Sequence, residues 1–144
     1  MKIDQPQHVF QVFHYLDKTL DKMKNTPNLN LEEDLATWGR LFDPDVHTFL
    51  NASALPALAV LQDKWGDETY DLNAVTDYIL GSMRMIVEED EHAHEVITDV
   101  LDGIWYNRLN EAGIELFETT LGPVLSTLSA VVYDGRKHKS LFHL

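Results

Sequence analysis

A chain of 144 residues, 44% hydrophobic, with 24 carboxylates against 11 lysines and arginines, is long enough for one domain with a sizeable core and carries a net charge of −13. That charge disfavours broad contact with nucleic acid or anionic lipid, whose recognition rests on clustered lysine and arginine, and favours basic partners or cations. Zero cysteines exclude disulfides and thiolate chemistry and leave any metal to histidine and carboxylate. The first residues lack the apolar core of a signal peptide and nowhere do 18 apolar residues run together, so a cytoplasmic protein without a membrane span is expected.

Over residues 7–24, Val9, Phe13, Leu16, Leu20 and Met23 recur at steps of four and three, a heptad-like seam. Phe10, His14, Asp17 and Asp21 fall on the far side of that helix, toward water. After a turn at 25–28, Asn30 with Glu33 resembles a capping box, and Leu31, Leu35, Trp38, Leu41 and Phe42 form the next apolar face. Asp43 is placed as an N-cap with Pro44 at the first helical position, and Val46, Phe49 and Leu50 turn inward. Ser53 and Pro56 should restart the chain, and the Ala/Leu-rich run 54–65, apolar almost all round, reads as the central helix.

Residues 71–113 organise the rest. Asp71 is a natural N-cap and Gly113 a natural stop, so 72–112 can form one long helix of about 60 Å, weakest at Gly81 and Gly103. Its apolar face runs through Val75, Ile79, Met83, Ile86, Ala93, Ile97, Val100, Leu101, Ile104 and Trp105. Glu88, His92, Glu95, Asp99 and Asp102 line the opposite side. Asp90 and His94, four apart, project toward the apolar side, where a carboxylate beside an imidazole can be a metal-ligand pair, a general-base pair or a buried hydrogen-bonded pair. Beyond Gly113, Ile114, Phe117, Leu121, Leu125, Leu128 and Val132 make a last seam. Gly122-Pro123 should kink or restart it and Asp134-Gly135 should end it, ahead of a basic tail at 136–144. No window alternates with period two. The chain is therefore expected to be a single all-α domain, 1–144, an antiparallel bundle of five to seven helices around the long helix at 72–112.

Function is less legible. The run 88–95 contains two overlapping Glu-x-x-His spacings, Glu89 to His92 and Glu91 to His94, but a di-iron or di-manganese bundle needs a second copy on another helix, and none occurs. Nucleophilic catalysis lacks a constellation, and no glycine-rich phosphate loop is present. Seven carboxylates and no lysine or arginine lie in 85–107. The leading expectation is a small acidic protein that binds a basic protein partner through Glu88, Glu95, Asp99 and Asp102, with no catalysis, no cofactor, no direct nucleic-acid binding and no membrane contact. A homodimer formed through this acidic face is an alternative, and a surface that mimics nucleic acid is another.

The segment 95–116, EVITDVLDGIWYNRLNEAGIEL, with Asp99, Asp102 and Trp105-Tyr106 ahead of Gly113-Ile114, resembles the second acidic helix of the all-α nucleotide pyrophosphohydrolases of the MazG type. The resemblance covers about 22 residues. It implies a magnesium-dependent hydrolase, with Glu88, Glu91, Glu95, Asp99 and Asp102 as carboxylate ligands, because magnesium takes hard oxygen donors. That family separates its two acidic motifs by a turn, whereas here both fall on one expected helix. Asp90 and His94 are the candidates for a transition-metal site, so Mg, Mn or Fe is the cofactor under this alternative.

Overall fold

The computed structural model describes residues 3–26, 28–39, 41–88 and 111–142, and among them it is all-helical with no strand. The helices are α1 (Pro6–Asn25), α2 (Leu31–Trp38), α3 (Pro44–Phe49), α4 (Leu55–Asp63), α5 (Leu72–Glu88), α6 (Glu111–Thr119) and α7 (Leu121–Phe142). A π-turn at Leu50–Ala54 joins α3 to α4 without a break. Counted as one rod, α3 and α4 bring the described helices to six.

α1 is the inner helix. Pro6 occupies its first turn, where a missing N–H costs nothing, and Lys22 and Lys24 sit in its last turn, where they suit the helix dipole. The expected seam of Val9, Phe13, Leu16, Leu20 and Met23 is buried. A second ridge, His8, Val12, Tyr15 and Thr19, is buried beside it, so α1 meets α3, α5 and α7 around much of its circumference. The central position expected for 54–65 therefore belongs to α1 instead. α4 buries Leu55, Ala57, Leu58 and Leu61 but leaves Pro56, Ala59 and Val60 exposed. The run is apolar by composition, yet alanine has so little surface that exposing it costs little.

Several local expectations change for physical reasons. The chain does not restart at Ser53 and Pro56. The π-turn widens the helix just ahead of Pro56, and wider i→i+5 bonding tolerates a residue that has no N–H and would crowd the preceding turn. Leu41 is 71% exposed, because the chain has left α2 and its turn carries only Phe42 inward. Gly113 does not stop a helix but lies buried inside α6, and α7 passes Asp134-Gly135 to end at Phe142. Among the described glycines only Gly66, with φ of 91°, adopts the left-handed backbone that ends helices well. The restart before Pro123 is present: α6 ends at Thr119 and α7 begins at Leu121.

Other expectations stand. Asn30 accepts from the Glu33 N–H at 3.1 Å, and Asp71 accepts from the Ala74 N–H at 3.1 Å. α5 buries Val75, Ile79, Met83 and Ile86 and passes through Gly81 unbroken. The last seam is buried at Phe117, Leu121, Leu125, Leu128 and Val132, and Tyr78 meets Phe117 edge to face at 4.5 Å. Among the described residues no helix is long and apolar enough to cross a membrane.

Candidate functional site

Most of the candidate residues from the acidic stretch 88–102 cannot be placed in the fold. Asp90, His94, Glu95, Asp99 and Asp102 lie outside the described residues, as do Glu89, Glu91, His92 and Gly103. Glu88 is the last described residue of α5, and its side chain lies outside the described set. Among the described residues no three histidine or carboxylate side chains converge as a metal site would require.

What the structure does build is a groove between α1 and α5. On α1, Phe10, His14, Asp17 and Asp21 follow each other on one exposed stripe, as their spacing predicts. On α5, Leu80, Arg84 and Val87 lie at i, i+4 and i+7. Phe13, His14, Asp17, Leu80, Met83, Arg84 and Val87 enclose a groove of about 280 Å³. It continues into a smaller hollow of about 110 Å³ lined by Asp17, Lys18, Asp21, Lys24, Thr76 and Leu80. Rising numbers on α1 face falling numbers on α5, so the two helices run antiparallel and the groove follows α1 from His14 to Lys24, about 15 Å. Phe13 and Met83 make a buried apolar floor, while Asp17 and Arg84 stand on the lips. Phe10 and Val87 are unusually exposed for their size, at 44% and 38%.

His14 anchors one end of the groove to the opposite side of α1. Its ring meets Trp38 edge to face at 5.6 Å, and Trp38 stacks on Phe42 at 5.4 Å with an interplanar angle of 1°. Tyr15 closes the group, T-shaped against both rings at 6.0 and 6.2 Å. The Lys22 ammonium lies 5.3 Å from the Trp38 ring centroid and donates to the Asp34 carboxylate at 2.7 Å, while the Thr19 hydroxyl reaches Asp34 at 3.5 Å.

This polar group resembles reactive machinery but is poorly suited to it. Burial pushes the Tyr15 hydroxyl up to about 12, the Asp34 charge adding to the effect and the Thr19 hydroxyl opposing it. A phenol held protonated to that pH is no base at neutrality. Asp34 is engaged by Lys22 and is buried. The cluster fixes α2 against α1 and thereby sets the rotamer of His14 at the groove.

His8, on the first turn of α1, is buried. Its Nε2 lies 3.6 Å from Asp43 and its Nδ1 3.7 Å from Asp4, both longer than a hydrogen bond. Asp43 does not cap α3 through its side chain as expected. Its carboxylate accepts from the Gln11 amide at 3.1 Å, and its N–H donates to Gln11 at 3.1 Å. A carboxylate facing both a histidine and an amide on α1 is better satisfied there than at a helix terminus. These contacts clamp the start of α1 to the start of α3. His8, Val12, Tyr15 and Thr19 share one helical line, and packing against the neighbouring helices buries it.

No family model, no curated protein and no solved structure matches the chain.

Proposed function

We propose that this protein acts by binding another protein, and that the groove between α1 and α5 is the seat for an amphipathic helix of that partner. The observation that carries the reading is the groove's anatomy. An apolar floor of Phe13, Leu80 and Met83 lies between lips bearing Asp17 and Arg84, the core-and-rim arrangement of protein interfaces. Its length of about 15 Å suits about ten residues of helix, enough for anchors at i, i+4 and i+7. The net charge of −13 and the seven carboxylates of 85–107 support a basic partner, steered by long-range attraction before the apolar contacts form. In this reading the helices make up an antiparallel bundle that serves as a rigid frame, and Glu88, Glu95, Asp99 and Asp102 supply the attracting charge.

The test is capture of proteins from lysate by the immobilised full chain, identified by mass spectrometry, with three variants alongside. Val87→Asp and Arg84→Glu lie on the lips and should keep the helical circular dichroism while losing the captured species. Reversal of Glu95, Asp99 and Asp102 to lysine should lose it too and should weaken the salt dependence of whatever remains. Undiminished capture by Val87→Asp and Arg84→Glu would remove the groove from the account. Undiminished capture by the triple variant would remove the acidic segment.

A further inference from the structure

A second groove, of about 440 Å³, lies between the α3–α4 rod and the joint of α6 with α7, bounded by residues such as Phe49, Ala57, Val60, Thr120, Val124 and Thr127. Not one residue lining it carries a formal charge. The absence extends well beyond the groove. Residues 46–62 and 119–133 contain no aspartate, glutamate, lysine or arginine, although 24% of the chain is charged. At that frequency the two segments together would hold about seven or eight.

Burial alone does not account for this, because Pro56, Ala59, Val60, Pro123, Thr127 and Ala130 are exposed. The exposed stripe of α1, by contrast, carries Asp17, Lys18, Asp21 and Lys24. Two adjacent helices thus share an uncharged outer surface on a chain of net charge −13. At 1.5 Å per residue it is about 22–25 Å long and about two helix widths across, a projected footprint of roughly 500 Å². That footprint is smaller than the roughly 800 Å² per partner of a standard interface and falls in the range of a weak, reversible association.

We infer that this face, centred on Val60 and the groove beside it, pairs two copies of the chain about a two-fold axis. The occupant follows from symmetry and charge. In a two-fold contact each patch meets itself, so any charge near the axis would face its own sign across the interface. A partner of complementary charge would select a charged surface, whereas an identical acidic copy needs a charge-free one. Val60, 43% exposed on the lip of the groove, gives the self-complementary shape: the projecting side chain of one copy enters the groove of the other. This face is separate from the α1–α5 groove and stands or falls independently of it.

Sedimentation equilibrium of the full chain at roughly 1–100 µM tests the proposal, in low salt and in about 0.5 M NaCl. The chain should dimerise, and more tightly in high salt, because screening weakens the mutual repulsion of two acidic copies without weakening an apolar contact. Val60→Glu should be monomeric with unchanged circular dichroism. The absence of cysteine allows a second, independent readout. Val60→Cys should give a cross-linked dimer with a short bis-maleimide, and Asp17→Cys, on the α1 stripe, should not. A wild-type monomer at 100 µM in both salts overturns the proposal. So does a dimer that weakens with salt, one unaffected by Val60→Glu, or one that cross-links through Asp17→Cys and not through Val60→Cys.

Discussion

Lys22 holds Asp34 at 2.7 Å across the junction of α1 and α2, pairing a half-exposed ammonium with a buried carboxylate while its charge rests against the Trp38 ring. Removing the lysine would leave the carboxylate with the weaker Thr19 contact at 3.5 Å. Lys22→Met should therefore destabilise by about 1–2 kcal/mol, less than for a fully buried pair because solvent screens the exposed partner. A chain of this length should lose roughly 3–6 °C in melting temperature. Lys22→Met combined with Asp34→Leu should recover part of the loss, and a double-mutant cycle by urea unfolding measures the coupling.

The Tyr15 hydroxyl is buried, lies near the Thr19 hydroxyl without meeting hydrogen-bond geometry, and is held protonated to about 12, against about 10 for an ordinary tyrosine. The raised value means that the unfolded chain gives up this proton first. The stability tied to it is whole below pH 10 and falls between pH 10 and 12. Urea unfolding at pH 8 and pH 11 should show the decline, and Tyr15→Phe should reduce it. At pH 8 Tyr15→Phe should be neutral or slightly stabilising, since it removes a polar group that is buried without a partner. Tyrosinate absorbance should contain a late-titrating component that Tyr15→Phe removes.

At the joint of α6 and α7, a Cβ on Gly122 would stand 2.9 Å from the Phe117 carbonyl oxygen and 3.3 Å from the Phe117 ring. Gly122→Ala should cost about 1–3 kcal/mol through forced separation of the two helices. Gly66 has open space around it and a φ of 91°, so Gly66→Ala should cost about 1 kcal/mol through backbone strain alone. Thermal unfolding of the two variants distinguishes steric overlap from strain, because only Gly122→Ala should also disturb the near-ultraviolet signal of the neighbouring aromatic rings.

A protein-binding role predicts that Mg, Mn, Fe or Zn at millimolar concentration leaves the melting temperature of the chelator-treated chain within about 1 °C. A ligand that binds only the folded state must raise it by mass action. A rise of several degrees that disappears in Asp90→Ala and His94→Ala would replace the binding role with a metal site and direct attention to nucleotide hydrolysis.

Sequence periodicity determined the helical class, the seam of α1 from Val9 to Met23, the caps at Asn30 and Asp71, and the restart before Pro123. Each depends on neighbours within about four residues, where helical spacing leaves little choice. The absence of charge over 46–62 and 119–133 was equally present in the sequence, but its meaning was not, because only packing sets the two segments side by side. Tertiary structure alone decided that α1 rather than 54–65 is the inner helix, that His8 and Thr19 are buried, and that Gly113 continues a helix instead of ending one. It also placed Asp17 opposite Leu80 and Val60 opposite Thr127. Burial and contact between distant segments depend on which helix faces come together, and a helical wheel supplies each face without its partner.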